Sequence, residues 1–313
     1  MINLQDVVLK NYKKIENLSK NIGIDLSAIE KDLYVSIILK EISKLQYKEG
    51  IKAYFKGGTS IYKRTDNPLR FSEDIDLTLD TEGLSRSQIK KQLNILTKSF
   101  ENIIPRAEEL KDIEFTNKSS VQAVYKYPQV IQGLKPYLII EATSFTVSEP
   151  TEEIEISPLL FKEDKFKIKA IELKRVFTDK IFSVQNNTIR GNVREVSKHL
   201  FDIFHLLESN KEIKQFLDNP ELIEEYYNYT IMEEKVRIDS RISEYIETPI
   251  EISRRNLDYQ LAVEILAEYT EIISELDLEK YIYFYNQLIQ KTWKYAKEIY
   301  KEESNGELLW TTK

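Results

Sequence analysis

A paired glycine followed by two alternating aspartates constrains this chain more than any other feature. The first element is Lys56-Gly57-Gly58-Thr59-Ser60, and the second is Arg70-Phe71-Ser72-Glu73-Asp74-Ile75-Asp76-Leu77. Only 8 of the 313 residues are glycine, so two in succession are poor candidates for idle filler. Residues 51–55 read as a short apolar strand and residues 57–62 as the start of a helix, with the glycines at the junction. There they let the backbone approach a phosphate, and a helix N-terminus favours negative charge. Asp74 and Asp76 are two apart, so on a strand they share one face, opposite Ile75, Leu77 and Leu79. Two hard carboxylates on one face can hold Mg²⁺ or Mn²⁺ against the same phosphates. The pairing implies nucleotidyl or phosphoryl transfer.

Composition narrows the alternatives. The length suggests two domains. No apolar run reaches the length of a membrane span, and the first residues lack the basic region and apolar core of a signal peptide. The expectation is a cytoplasmic protein with no membrane partner. Cysteine is absent, which excludes disulfides, thiolate zinc sites and cysteine nucleophiles. With His199 and His205 as the only histidines, a histidine-rich metal site is excluded too. Lys and Arg total 45 against 52 Asp and Glu, and the net charge of −7 argues against coating nucleic acid by bulk electrostatics. A local strip remains open: Lys162, Lys165, Lys167, Lys169, Lys174 and Arg175 could meet RNA phosphates.

The pattern along the chain is α+β: a mixed sheet flanked by helices, then an all-helical region. Helices are expected at residues 4–21, 28–46 and 84–101, with Asp25 or Ser27 capping the second and Ser85 or Ser87 the third. Strands are expected at 51–55, 74–80 and 136–145, with a strand or hairpin over 112–127. Glu141 is the one acid inside the apolar run 136–145, and such a carboxylate is rarely fully buried unless paired. The domain boundary is expected in the charged stretch 149–170, giving a core over 1–160 and a helical domain over 161–313. In the latter, helices are expected at 171–185, 193–208, 211–217, 219–233, 256–270 and 278–303.

Gly57-Gly58-Thr59-Ser60, Ser72-x-Asp74-x-Asp76, and the later Lys180 and Asp202 resemble the AbiEii/AbiGii-type nucleotidyltransferase toxin family, which includes abortive-infection toxins and the tRNA-modifying MenT toxins. Glu30-Lys31-Asp32 is similar to a segment that precedes the glycine motif in many members. The resemblance spans roughly residues 25–210. It implies a DNA polymerase β-like nucleotidyltransferase core followed by a helical domain. It also implies that Gly57, Gly58, Thr59 and Ser60 hold the phosphates of an NTP, with Ser72 close by. Asp74 and Asp76 match the metal-binding pair, Glu141 a further carboxylate on a third strand, and Lys180 and Asp202 the residues that complete the catalytic set. Where the family often has Arg-Asp just before the motif carrying Asp202, this chain has Lys198-His199. On this resemblance the expected role is that of a phage-defence or toxin–antitoxin toxin, acting on tRNA 3′ ends and neutralised by a cognate antitoxin.

Blander readings stand beside these. Gly57-Gly58 alone is compatible with a plain strand-to-helix turn, Arg70 with an ordinary ion pair as well as a phosphate contact, and Lys180 with a surface lysine. Two other functions stay open at this point. One is a non-catalytic module that binds nucleotide or a partner, and the other is kinase-like phosphoryl transfer to a protein.

Overall fold

The computed structural model describes residues 4–64, 72, 74–144, 148–189, 193–219, 221–226 and 228–229. The chain divides into two compact units, with the boundary between Glu172 and Leu173.

The first unit begins with helices. The single helix expected over 4–21 is two, α1 (Leu4–Lys10) and α2 (Tyr12–Ile22). Asn11 interrupts them, its side-chain amide donating to the Val7 carbonyl at 2.8 Å. An asparagine that bonds its own backbone competes with helix continuation. Gly23 closes α2 in the left-handed conformation and donates its N–H to the Ser19 carbonyl. α3 (Leu26–Lys48) then starts at Asp25, whose carboxylate accepts from the Ser27 N–H at 2.8 Å. This helix is buried around most of its first half, and Glu30, Lys31 and Asp32 are all inside.

The sheet is assembled from β1 (Ala53–Lys56), β2 (Ile75–Leu79), β3 (Phe115–Thr116), β4 (Ser120–Lys126), β5 (Tyr137–Thr143), β6 (Thr151–Ile156) and β7 (Phe166–Ile171). Their order is β3-β4-β5-β2-β1-β7-β6. β2 runs antiparallel to β1 and parallel to β5, and β7 runs parallel to β1, so the sheet is mixed. Within residues 112–127, β3 and β4 pair as an antiparallel hairpin, after a 3-10 turn that ends at Ile113. The stretch 149–170, expected as the boundary, instead contributes β6 and β7. Its alternation is masked by charge: Ile154, Ile156, Ile168 and Ala170 face the core while acids and lysines face out.

One face of the sheet carries Ala53, Phe55, Ile75, Leu77, Leu79, Ala123, Ile140 and Ala142 into a single core with α3 and with α5 (Arg86–Lys98). Ser85 caps α5 in a reciprocal capping box with Gln88, as Ser-x-x-Gln predicts. Gln46 of α3 donates to the Ala53 and Lys169 carbonyls at 2.7 and 2.9 Å and accepts from the Lys169 N–H. It thereby fixes α3 across β1 and β7.

The second unit contains α6 (Leu173–Ile189), α7 (Val193–Ser209) and α8 (Lys211–Leu217). Phe177, Phe216 and Tyr226 stack edge to face within it, with centroids 6.4 and 5.2 Å apart. Of the helix expected over 219–233, residues 221–226 and 228–229 are helical. The helices expected at 256–270 and 278–303 lie outside the described residues.

Candidate active site

The glycine turn ends β1 and opens α4 (Gly57–Tyr62). Gly57 has φ of +76°, a conformation that side chains resist. A β-carbon built there would overlap the Asp76 carboxylate, standing 2.9 Å from its Cγ and 3.1 Å from its Cβ. The first glycine is therefore required twice, by its backbone angle and by the acid pressed against it.

Around that contact the predicted residues converge. Lys56 is in register with Asp76 across the antiparallel β1–β2 pair, and Asp76 with Glu141 across the parallel β2–β5 pair. Glu141 in turn faces Gln122 on β4. Lys56, Asp76, Glu141 and Gln122 thus form one row across four strands, on the face away from the apolar core. Neighbouring strands lie about 4.8 Å apart, so side chains of one row are neighbours. Asp74 precedes β2 by one residue, two positions from Asp76. Its backbone carbonyl accepts a short hydrogen bond from the buried Thr59 hydroxyl, which also lies 3.1 Å from Ser72 Oγ. Ser60, also buried, donates to the Gly57 carbonyl at 2.9 Å. The two hydroxyls thus have structural work inside the turn: Thr59 binds α4 to the strand of aspartates, and Ser60 tightens the turn on itself.

α4 is also fixed at its other end. Tyr62 Oη donates to Asp32 Oδ1 at 2.8 Å, and Lys63 forms a fully buried ion pair with the same carboxylate. Burial pulls the Lys63 ammonium below the usual lysine range, and Asp32 opposes that shift. Arg64 reaches back to Glu152 and to the Ile171 carbonyl, both at 2.7 Å, and to Ser60 Oγ at 3.3 Å. Beyond its likeness to a family segment, Glu30-Lys31-Asp32 carries no role that the sequence alone assigns. Its buried acids inside a helix were the available signal. Glu30 accepts the N–H groups of Val130 and Ile131 at 2.7 and 2.8 Å, and burial raises its carboxyl above the ordinary glutamate value despite them.

Lys180 and Asp202 belong to the second unit, one on α6 and one on α7. They meet as a buried ion pair at 2.8 Å, and His199 Nδ1 stands 3.2 Å from the same ammonium. Lys180 is 6% exposed, so the surface-lysine reading is excluded. Facing an ammonium, Nδ1 of His199 serves as acceptor. His205 packs on Phe201 with centroids 4.1 Å apart. Arg70 lies outside the described residues.

Part of the candidate basic strip is engaged in pairs, with Lys165 and Lys167 still exposed. Lys165 pairs with Glu155 at 2.7 Å and Lys167 with Glu153 at 2.6 Å, across β6 and β7. Lys169 lies over the Tyr47 ring, and Arg175 is buried against Asp179 at 2.9 Å.

Among the described residues, no group of three or more His, Asp or Glu side chains forms a ready metal cage. Asp74 and Asp76 supply two hard oxygen donors on one strand. That is the usual protein share for Mg²⁺, whose remaining positions go to substrate phosphates and water. The donor set therefore fits a cation that arrives with a nucleotide. No described helix is long and apolar enough to cross a membrane.

A mixed sheet with a glycine turn packed against an Asp-x-Asp strand is the frame of a nucleotidyltransferase. The family model described as "Nucleotidyl transferase AbiEii toxin, Type IV TA system" matches residues 37–284, and the chain belongs to that family. It is a nucleotidyltransferase and a toxin of the toxin–antitoxin class. Among solved structures, JHP933 from Helicobacter pylori is similar at 17% identity, over 89% of this chain and 99% of that one, with a TM-score of 0.46. An antigenic nucleotidyltransferase-like protein from Paracoccidioides brasiliensis is similar at 14% identity, over 63% of this chain and 91% of that one, with a TM-score of 0.36. No curated protein matches the chain.

Proposed function

We propose that this chain transfers a nucleoside monophosphate from an NTP to an acceptor hydroxyl, and that the acceptor is the 3′ end of tRNA. The observation that carries the chemistry is the packing of Gly57 against Asp76. It sets a backbone turn able to approach phosphate beside a carboxylate able to hold the phosphate's counter-ion. The acceptor rests on the resemblance to tRNA-modifying toxins.

In this reading Gly57 and Gly58 offer main-chain N–H groups to the triphosphate. Thr59 and Ser60 keep the turn in shape through the Asp74 and Gly57 carbonyls. Asp74 and Asp76 hold Mg²⁺ or Mn²⁺, which when bound neutralises charge on the reacting phosphate. Glu141, in register beside Asp76, takes the proton of the attacking hydroxyl. The acceptor oxygen bonds to the α-phosphorus, the α–β bridging bond breaks, and pyrophosphate leaves. The resemblance gives Lys180 a place in the catalytic set, and within its own unit the bonds to Asp202 and His199 hold the ammonium in one position. The toxic consequence is a blocked tRNA end, in a phage-defence or growth-control setting where an antitoxin restrains it.

The test is incubation of the full chain with Mg²⁺, labelled NTPs and total tRNA. Label from the α position should enter tRNA, and sequencing should find added nucleotides at the 3′ end. Label entering only from the γ position would replace this reading with phosphoryl transfer. Bound nucleotide with no product would reduce the chain to a binding module.

A further inference from the structure

Asp32 is wholly buried inside α3, and its carboxylate gathers four donors. They are Lys63 Nζ, Tyr62 Oη at 2.8 Å, the Leu159 N–H at 2.9 Å, and Ser36 Oγ at 3.4 Å. Lys63 makes a second bond to Ser36 Oγ at 2.7 Å, and its side chain is 2% exposed. Burying an ion pair is an expensive way to hold two segments together, and apolar residues of the same size usually do so as well. What the pair adds is direction. A carboxylate with donors from α4, from its own helix and from the chain at 159 admits little rotation or slip.

The segment so fixed is the last turn of α4, and α4 is short. Six residues at 1.5 Å each span about 9 Å, so displacement at Tyr62 and Lys63 is carried to Gly57. Gly57 has no slack to absorb it, because it already touches the Asp76 carboxylate. A shift of α4 by a fraction of an ångström therefore changes the fit of the glycine turn against the acid on β2.

We propose that Asp32 is a positioning residue for nucleotide transfer. Through Lys63 and Tyr62 it sets the distance between the Gly57-Gly58 backbone and Asp76. The proposal rests on the reading of that turn and that acid as the nucleotide site.

The experiment compares Tyr62→Phe and the double change Asp32→Asn with Lys63→Met, each in the full chain, by thermal unfolding and by steady-state kinetics. The substrates are Mg²⁺, α-labelled NTPs and total tRNA. The double change removes both buried charges and should retain a cooperative melt. Tyr62→Phe removes one donor and no charge, and it decides the matter if the double variant does not fold. We expect folded variants whose turnover falls by about tenfold to a hundredfold, the scale of a sub-ångström to ångström misplacement. The KM for NTP should rise in the same variants. A pair that served only stability would move the melting temperature and leave both kinetic constants alone. Wild-type kinetics in the folded variants, with Asp76→Asn inactive alongside, would overturn the positioning role and leave the site intact. An active Asp76→Asn would remove the site reading and the proposal with it.

Discussion

Gly57 and Asp76 touch so closely that no larger residue fits at position 57 while the carboxylate keeps its place. One lies in the glycine turn and the other on β2, so the contact is where the two sequence motifs meet. Gly57→Ala should therefore cost about 1–3 kcal/mol of stability, from the positive φ and the overlap combined. Adding Asp76→Ala should relieve the overlap and recover part of the melting temperature, with no recovery of nucleotide transfer. Equal melting temperatures for Gly57→Ala and the wild type would refute the contact.

Asp74→Asn and Asp76→Asn are nearly isosteric and should leave the fold standing. Each removes one hard ligand charge, and turnover should fall by at least about a hundredfold. Chelation of divalent cations should abolish label transfer in the wild type, and added Mg²⁺ or Mn²⁺ should restore it. Near-normal turnover in a folded Asp76→Asn protein would remove the aspartate pair from the mechanism.

Lys180 behaves as a buried charge rather than a surface lysine. Lys180→Ala breaks the buried ion pair to Asp202 at 2.8 Å, a loss that typically costs about 3–5 kcal/mol. A surface lysine would instead make that truncation cheap. Lys180→Met with Asp202→Asn should recover most of the stability and none of the turnover. Recovery of both would leave the pair with a structural role only.

Acid should loosen the first unit through Glu114. Burial would raise its carboxyl, but the Arg106 guanidinium and the Val124 N–H more than compensate and hold it below the ordinary range. Arg106 Nε lies 3.0 Å from Glu114 Oε1, which also accepts from Val124 N at 2.9 Å. A lowered folded-state value means that the unfolded chain binds the proton first. The contribution is thus complete above the ordinary glutamate pKa and lost as pH falls through the lowered one. Denaturant titrations of Glu114→Gln should be less stable than wild type near neutrality and should converge with it below about pH 4. A constant difference across that range would exclude the linkage.

The parts of this fold that were legible in the sequence are those where local chemistry and burial agree. Ile75, Leu77 and Leu79 alternate against Asp74 and Asp76, so β2 and its two faces followed directly. Ser85, one of the two caps expected with Ser87, marked the start of α5. The rest was hidden wherever charge sat on a structured surface. Glu153, Glu155, Lys165 and Lys167 made β6 and β7 read as a linker, because cross-strand pairing between distant residues leaves no local signature. Asn11 divided the single helix expected over 4–21. Asp32 and Lys63 are 31 residues apart, and only the packing of α3 against α4 makes one the partner of the other. The glycines and aspartates of the site were visible because their spacing is dictated by chemistry. The network behind them was not, since many residue choices could have supplied it.

Expression of this toxin without its antitoxin should slow growth. With the proposed acceptor the physical chain is short: a nucleotide added to a tRNA 3′ end would block aminoacylation, and translation would stall for want of charged tRNA. The defect should disappear in an Asp74→Asn, Asp76→Asn double variant produced at equal level, because the folded surface remains while the hard ligand charges are gone. It should also disappear when the cognate antitoxin is co-expressed, with unmodified tRNA ends recovered by sequencing. A defect that persisted in the double variant would trace toxicity to binding or aggregation rather than to transfer. Growth arrest with intact tRNA ends, abolished by the same double variant, would keep the enzyme and move its acceptor to another hydroxyl, which α-labelled nucleotide would then mark in total RNA or protein.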